Sequence, residues 1–418
     1  MEQDLDLEGG ATALGDQHRA SVGSEHLPPP RLDAYREYTR GLDYFRVERY
    51  SDALQAFVTA AGIDPMFVLP VIWAEHAANN QDSVRLSDSL HAVMRSLLGR
   101  LGPRLSPLDR FGLEAETAID EGASREALAA ATALAPGSNW AYMLGRAYPF
   151  EFQRELRIYE AIDRHRGWAR GWVGFFPEFG LTAHYAGENE RVVELAREGI
   201  AAGRDHVVLR YVESLGLAAL GRMHELDESV TALGALPPDP HIRPGVAMAI
   251  VGGELMRVGR LEDGKRYLAR AERWAESTRL ASDSAGYFSD RGMAAYYGRD
   301  WARARQWFER AASAETGEGA RSSVLGYLGI IAALQGRLDD AMRAMDLADR
   351  PDPKASLPSQ ALIAAASGDA ERAVQLVRET MARPVGWGWD QLEHILHDPA
   401  FEEFRKTTAW KAFVATRR

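Results

Sequence analysis

Small and bulky apolar positions recur along this chain on a fixed ladder, with polar residues between the rungs. Near the start the ladder reads Gly41, Tyr44, Ala53, Phe57, Ala60, Pro65, and in the last third the same spacing returns as Gly329, Ala332, Ala341, Met345, Ala348, Pro353. Each ladder predicts a helix pair. The glycine lets the first helix approach its neighbour, the second rung fills the gap, and the two alanines keep the second helix close. The proline stops it, because proline cannot donate into a helix interior. From residue 138 onward further pairs start near 138, 173, 207, 245, 285, 322 and 354. Their inter-helix turns fall at Gly187, Gly221, Gly259, Gly298, Gly336 and Gly368, where glycine supplies the left-handed backbone that ends a helix tightly. Between residues 68 and 136 the period blurs. A longer helix is predicted over 83–99, a break at Pro103 to Pro107, and a degenerate pair over 109–120 and 124–134 that closes at Pro136-Gly137.

A helix-turn-helix repeating every ~34 residues is the tetratricopeptide pattern. One such pair cannot bury its apolar face alone, so the copies stack. The predicted fold is all-α, a right-handed superhelical solenoid of tetratricopeptide-like helix pairs. Residues 1–30 are acidic, glycine-rich and end in three prolines, and read as a disordered leader. Residues 31–136 read as N-terminal helix pairs, first regular and then degenerate, residues 137–385 as the repeat array, and residues 386–418 as C-terminal capping helices. The chain from about residue 31 also resembles the C-terminal repeat half of bacterial CadC-like, TolB-like and Ser/Thr-kinase-fused signalling proteins. The matching phrases are Ala34-Tyr35-Arg36-Glu37-Tyr38, Leu105-Ser106-Pro107-Leu108-Asp109-Arg110, Ala135-Pro136-Gly137-Ser138 and His397-Asp398-Pro399-Ala400-Phe401. That resemblance implies an adaptor or sensory role in bacterial signalling.

A net charge of −11 without a sustained basic run argues against nucleic acid as a main partner, since phosphate binding needs a basic footprint. The longest apolar run, 245–253, is too short to span a bilayer, and the acidic N-terminus lacks the start of an export signal, so no membrane partner and a cytoplasmic location are expected. With no cysteine, disulfides, thiolate metal sites and thiol nucleophiles are excluded.

Candidate chemistry is thin. Gly259 to Lys265 matches the opening of a phosphate-binding loop, but Arg266 stands where Ser or Thr would hold magnesium, no strand precedes, and Gly259 is already a repeat turn. Asp4 to Gly9 begins like a calcium loop whose twelfth place is Gly15 rather than a bidentate Glu. His394 and His397 could share a helical face beside Glu393 and Asp398, but they show no third ligand and read as surface histidines. The chain is therefore read as non-catalytic, with no cofactor and no metal. The Lys/Asn carboxylate clamp of some tetratricopeptide co-chaperones is absent as well: Tyr38 and Leu42 stand at its places in the first repeat.

What stands out is aromatic density between Trp140 and Tyr185. One reading is filling of an irregular core, since most large apolar side chains in a helical stack are buried. The other is a recognition surface, because aromatic and arginine side chains dominate such surfaces. By repeat position, Tyr142, Arg146, His184, Tyr185, Tyr211, Arg257 and Tyr296 line the face of the first helices, whereas Leu144, Gly145 and Phe179 occupy packing places. The expected function is a scaffold that holds a protein or peptide segment in its groove. The alternative is a small-molecule sensor using segment 140–185 as a pocket.

Overall fold

The computed structural model describes residues 27–418 apart from 82–83, 204, 238–241, 279–282, 316, 350–355, 383–391, 393–394 and 418. Most of the expected leader, together with Pro353, Trp387 and His394, lies outside the described residues. Leu27 is already anchored, its N–H donating to the Arg104 carbonyl at 3.0 Å. Among the described residues there is no strand.

The chain divides into two compact units that meet in sequence at residues 141 and 142. The first holds α1 (Leu32–Arg46), α2 (Tyr50–Ile63), α3 (Leu69–Asn79), α4 (Val84–Leu101), α5 (Pro107–Thr117) and α6 (Glu121–Leu134). Each helix packs on the next, and α3 also packs on α5. The caps are where the sequence supplies them. Ser106 accepts the Asp109 N–H with Pro107 in the first turn, and Asp120 accepts the Ala123 N–H.

In the second unit α7 (Asn139–Arg146) crosses the boundary and α8 (Phe152–Glu160) follows. Then come six hairpins: α9 (Phe175–Tyr185) with α10 (Asn189–Ala201), α11 (Val207–Leu220) with α12 (Met223–Ala235), α13 (Pro244–Arg257) with α14 (Leu261–Ser277), α15 (Ser284–Tyr297) with α16 (Trp301–Ala314), α17 (Glu318–Leu334) with α18 (Leu338–Ala348), and α19 (Ser356–Ser367) with α20 (Ala370–Met381). Within each hairpin the two helices pack together, and first helices also pack on one another, α9 on α11, α11 on α13, α13 on α15 and α17 on α19. A first helix that touches both its own partner and the next first helix is the tetratricopeptide arrangement.

One contact repeats with the sequence register. A Cβ added at Gly41 would meet the Phe57 ring at 2.5 Å, at Gly252 Leu268 at 3.0 Å, at Gly292 the Phe308 ring at 2.5 Å, and at Gly329 Met345 at 3.0 Å. The glycine of the first helix and the large side chain of the second hold the same relation in all of these pairs. The fold is thus an all-α solenoid of tetratricopeptide-like helix pairs. Of the expected turn glycines, Gly187, Gly221, Gly259, Gly336 and Gly368 have positive φ. Gly298 does not. It stays helical at φ −75°, and Arg299 takes the left-handed place at φ 63°. The helix runs one residue further than the glycine suggests.

The close approach gives a graded expectation. A methyl at Gly292 meets a rigid ring, so Gly292→Ala should cost about 1–3 kcal/mol by overpacking. Gly329→Ala meets a flexible methionine that can move aside and should cost less. Urea unfolding of both variants checks the order; equal midpoints would mean that Phe308 is not fixed against the glycine.

Candidate functional site

The aromatic stretch is mostly self-packed. Tyr142, at 9% exposure, stacks on Tyr159 with ring centroids 5.4 Å apart and meets the Trp172 ring edge-on at 5.0 Å. Tyr159 in turn meets Phe179 edge-on at 5.7 Å, and both are fully buried. Arg146 lies half-buried beside this cluster, donating to the Tyr142 hydroxyl at 3.2 Å and to Glu178 at 3.0 Å. Ring faces that meet other rings are not lining for a ligand, so the expectation of Tyr142 as an open groove residue is corrected to core. Phe179→Ala should cost about 3–5 kcal/mol through the cavity it leaves.

Three of the other expected residues, His184, Tyr185 and Tyr296, meet elsewhere, on the C-terminal segment. After Leu392 and Ile395, both fully buried, the chain turns at Pro399–Phe401 into α21 (Glu402–Lys406) and α22 (Thr408–Ala415). Asp398 makes the turn by accepting the Ala400 N–H at 2.8 Å. The turn lies against α17 and α19, and α22 against α20. Tyr296, near the end of α15, donates its hydroxyl to both Asp398 oxygens at 2.9 and 3.1 Å. Tyr296 was expected to face an open groove, yet it is fully buried because this segment lies over it.

Phe401, Phe404, Trp410 and Phe413 are buried along the segment. Phe150 packs edge-on against Trp410 and Phe413 at 5.8 Å each. Phe150 adopts φ 65°, a costly left-handed conformation for a bulky residue, and that backbone carries its ring to the segment. Arg299 pairs with Glu402, and Arg405 donates to the Ile395 and Asp398 carbonyls at 2.8 Å each. The segment therefore lies against α20, as a cap would, and also runs across the first helices of the array.

His184, in the last turn of α9, is 4% exposed. Its Nε2 stands 3.1 Å from Nδ1 of His397 and its Nδ1 3.0 Å from Oδ1 of Asn189. The amide oxygen fixes the tautomer: Nδ1–H of His184 donates to Asn189, so Nε2 accepts from Nδ1–H of His397. Glu254, on α13 and 4% exposed, brings Oε1 to 3.9 Å from Nε2 of His184 and Oε2 to 3.7 Å from Nδ1 of His397. Arg257 grips the same carboxylate with two bonds of 2.6 Å. Tyr185 sets its ring 5.2 Å from that of His397. Tyr211, on α11, is half-buried.

Burial pushes His184 down to about 4, with His397 adding to the shift and Glu254 opposing it. For Glu254 burial raises the carboxyl, but the Arg257 hydrogen bonds, with the two histidines beside it, outweigh it and hold it well below its usual range. The cluster is thus two neutral imidazoles beside a carboxylate. A second one, in the first unit, groups Glu75, His76 and Glu116, where His76 Nε2 bonds Glu116 at 3.1 Å and Glu75 accepts from Ser87 at 2.7 Å. The phosphate-loop look-alike is an exposed helix start, with Lys265 paired to Glu262 at 2.7 Å.

Sequence reasoning placed His184, Arg257 and Tyr296 near a common surface but missed Glu254, Asn189 and Asp398, and took His397 for a surface histidine. A signal was present: a solenoid cap keeps a polar outer face, and Leu392, Ile395, Phe401, Phe404, Trp410 and Phe413 are too many large apolar side chains for one.

No protein-family model and no curated protein sequence matches the chain. Among solved structures it is similar to the Cut9–Hcn1 hetero-tetramer of the APC/C, at 13% identity and TM-score 0.30, over 99% of this chain and 81% of that one. It is also similar to the tetratricopeptide domain of P58(IPK), at 10% identity and TM-score 0.22, over 92% and 99%. The fold assignment rests on the helix pairing and the repeated glycine contacts, independently of both. No described helix is long and apolar enough to cross a membrane.

Asp398 generates a pH expectation. Burial first raises its carboxyl, against the Ala400, Tyr296 and Arg405 contributions, to about 7. A folded value above the unfolded one contributes stability that is full below about 4 and is lost as pH rises through about 7. Asp398→Asn should remove that slope, so the difference between variant and parent melting temperatures should move in the variant's favour from pH 4 to pH 8. Melting curves at stepped pH measure it; a constant difference would mean that Asp398 is not burying a charge.

Proposed function

We propose that the protein is a non-catalytic scaffold whose first-helix face binds a peptide or protein segment, as an adaptor or sensory module in bacterial signalling or regulation. One observation carries this reading: that face holds a segment of the chain itself through sequence-specific contacts. Tyr296 takes a carboxylate, the His184 and Glu254 pair takes an imidazole, and Phe401 and Phe404 are buried as anchors. An acid followed within a few residues by aromatics is therefore the chemistry this face reads. The bacterial context comes from the phrases shared with signalling proteins. The cytoplasm fits a chain without cysteine. A small-molecule pocket in segment 140–185 finds no support in rings that pack on one another.

A trans partner competes with a tethered segment, whose effective concentration is on the order of millimolar. The full chain carrying a protease site before residue 392 can be nicked and offered a labelled peptide of residues 392–418. The peptide should exchange with the nicked segment, and its Asp398→Ala form should bind at least ~10-fold more weakly, a loss of about 1.4 kcal/mol. A segment that never exchanges, or a peptide indifferent to Asp398, would make this face ordinary core and remove the reading.

A further inference from the structure

We propose that His184, Glu254 and His397 bind one Zn2+ ion, through His184 Nε2, His397 Nδ1 and a Glu254 carboxylate oxygen, with solvent in the fourth position. The donor set is two imidazoles and a carboxylate, a combination zinc takes when three protein ligands leave one place open. The candidate ligand atoms all lie within 4.8 Å of one another. In a tetrahedral site with bonds of about 2.0–2.1 Å, ligand atoms stand roughly 3.3 Å apart. The separations here are 3.1 Å between the imidazole nitrogens, 3.9 Å from His184 Nε2 to Glu254 Oε1 and 3.7 Å from His397 Nδ1 to Glu254 Oε2. The ion therefore needs the carboxylate to turn one oxygen toward both nitrogens, and the proton now held between those nitrogens moves to His397 Nε2, so that both imidazoles stay neutral and each offers the ion a lone pair.

The surroundings match those of metal ligands. Asn189 turns the lone pair of His184 Nε2 inward by accepting from Nδ1, as outer-shell partners of ligating histidines do. Arg257 keeps Glu254 ionised and oriented, using one lone pair on each oxygen. Its positive charge opposes a dication. The Arg257 side chain is 36% exposed, so it can yield one oxygen and turn to solvent. Entry is open on the side of His397, whose side chain is 26% exposed, while His184 and Glu254 are enclosed. The Glu75, His76 and Glu116 group differs: it has one imidazole, already bonded to a carboxylate, and reads as a satisfied ion pair. The ion would tie α9 and α13 to the C-terminal segment, whose His397 lies 213 residues beyond His184, and so staple that segment to the array. The inference does not depend on whether that face also takes a partner in trans.

The test uses the full chain stripped with EDTA, then given ZnCl2 or CoCl2. Metal analysis after dialysis should find one zinc per chain, lost in His397→Ala and in Glu254→Gln but kept in His76→Ala. Asn189→Ala should weaken binding by about 10–100-fold in competition with a chromophoric chelator. Co2+ should give the intense visible absorption of a four-coordinate site. Zinc in excess should raise the parent's melting temperature and leave that of His397→Ala unchanged. Melting in EDTA shows whether each variant is folded, and Asn189→Ala, which removes no ligand, keeps the test independent of any loss of folding. Absence of stoichiometric uptake overturns the proposal, as does uptake that survives in folded His397→Ala or is lost in His76→Ala. In either case the two histidines share only a hydrogen bond.

Discussion

The close approach of paired helices at a glycine is the constraint on which this structure depends. Where Gly41, Gly252, Gly292 and Gly329 face Phe57, Leu268, Phe308 and Met345, the space that a Cβ would take is filled by the partner's side chain. That fixes the spacing within a hairpin, and with it the face each first helix turns to the next pair. Because a pair cannot bury its apolar face alone, this local contact propagates, and buried residues form one continuous cluster from Phe150 through Phe413.

An array of this kind leaves one face of the first helices for something else to cover. Here the chain's own end covers it. The cover is built as core, with Phe401 and Phe413 fully buried and Trp410 at 4% exposure. Its polar contacts stand at chosen points: the Tyr296 bond to Asp398, the imidazole pair at His184, and the arginine bonds to two carbonyls near the turn. Apolar burial supplies most of the attachment. The polar bonds set its register, since a buried Tyr hydroxyl or carboxylate left unpaired costs more than the bond gains.

The repeat frame was legible because it is written locally. The ladders at Gly41 and Gly329 reappear as contacts between neighbouring helices, and five of six turn glycines hold the left-handed backbone. Gly298 was misleading because a residue after it could take the same conformation, as Arg299 does. The site was legible only in halves. Repeat position brought His184, Arg257 and Tyr296 to one face, but the residues that complete it, His397 and Asp398, come from a segment with no repeat period of its own. The aromatic stretch, dense enough to suggest a surface, became core because its rings find one another before any ligand could.

A cluster with two imidazoles and a carboxylate at the seam between array and cover has a consequence for how the cover behaves. Each of the three side chains comes from a different element, two from the array and one from the segment, so none of the local rules that build the hairpins requires them to meet. Their burial works against charge, and Glu254 keeps its own only because Arg257 holds it. Neutral imidazoles beside an ionised carboxylate make the seam responsive to whatever supplies positive charge there, a proton or a metal ion. The glycine contacts that space the hairpins beneath do not titrate. The register in which the C-terminal segment attaches is thus set by polar chemistry at the seam, whereas the spacing of the repeats beneath is set by glycine contacts that carry no charge.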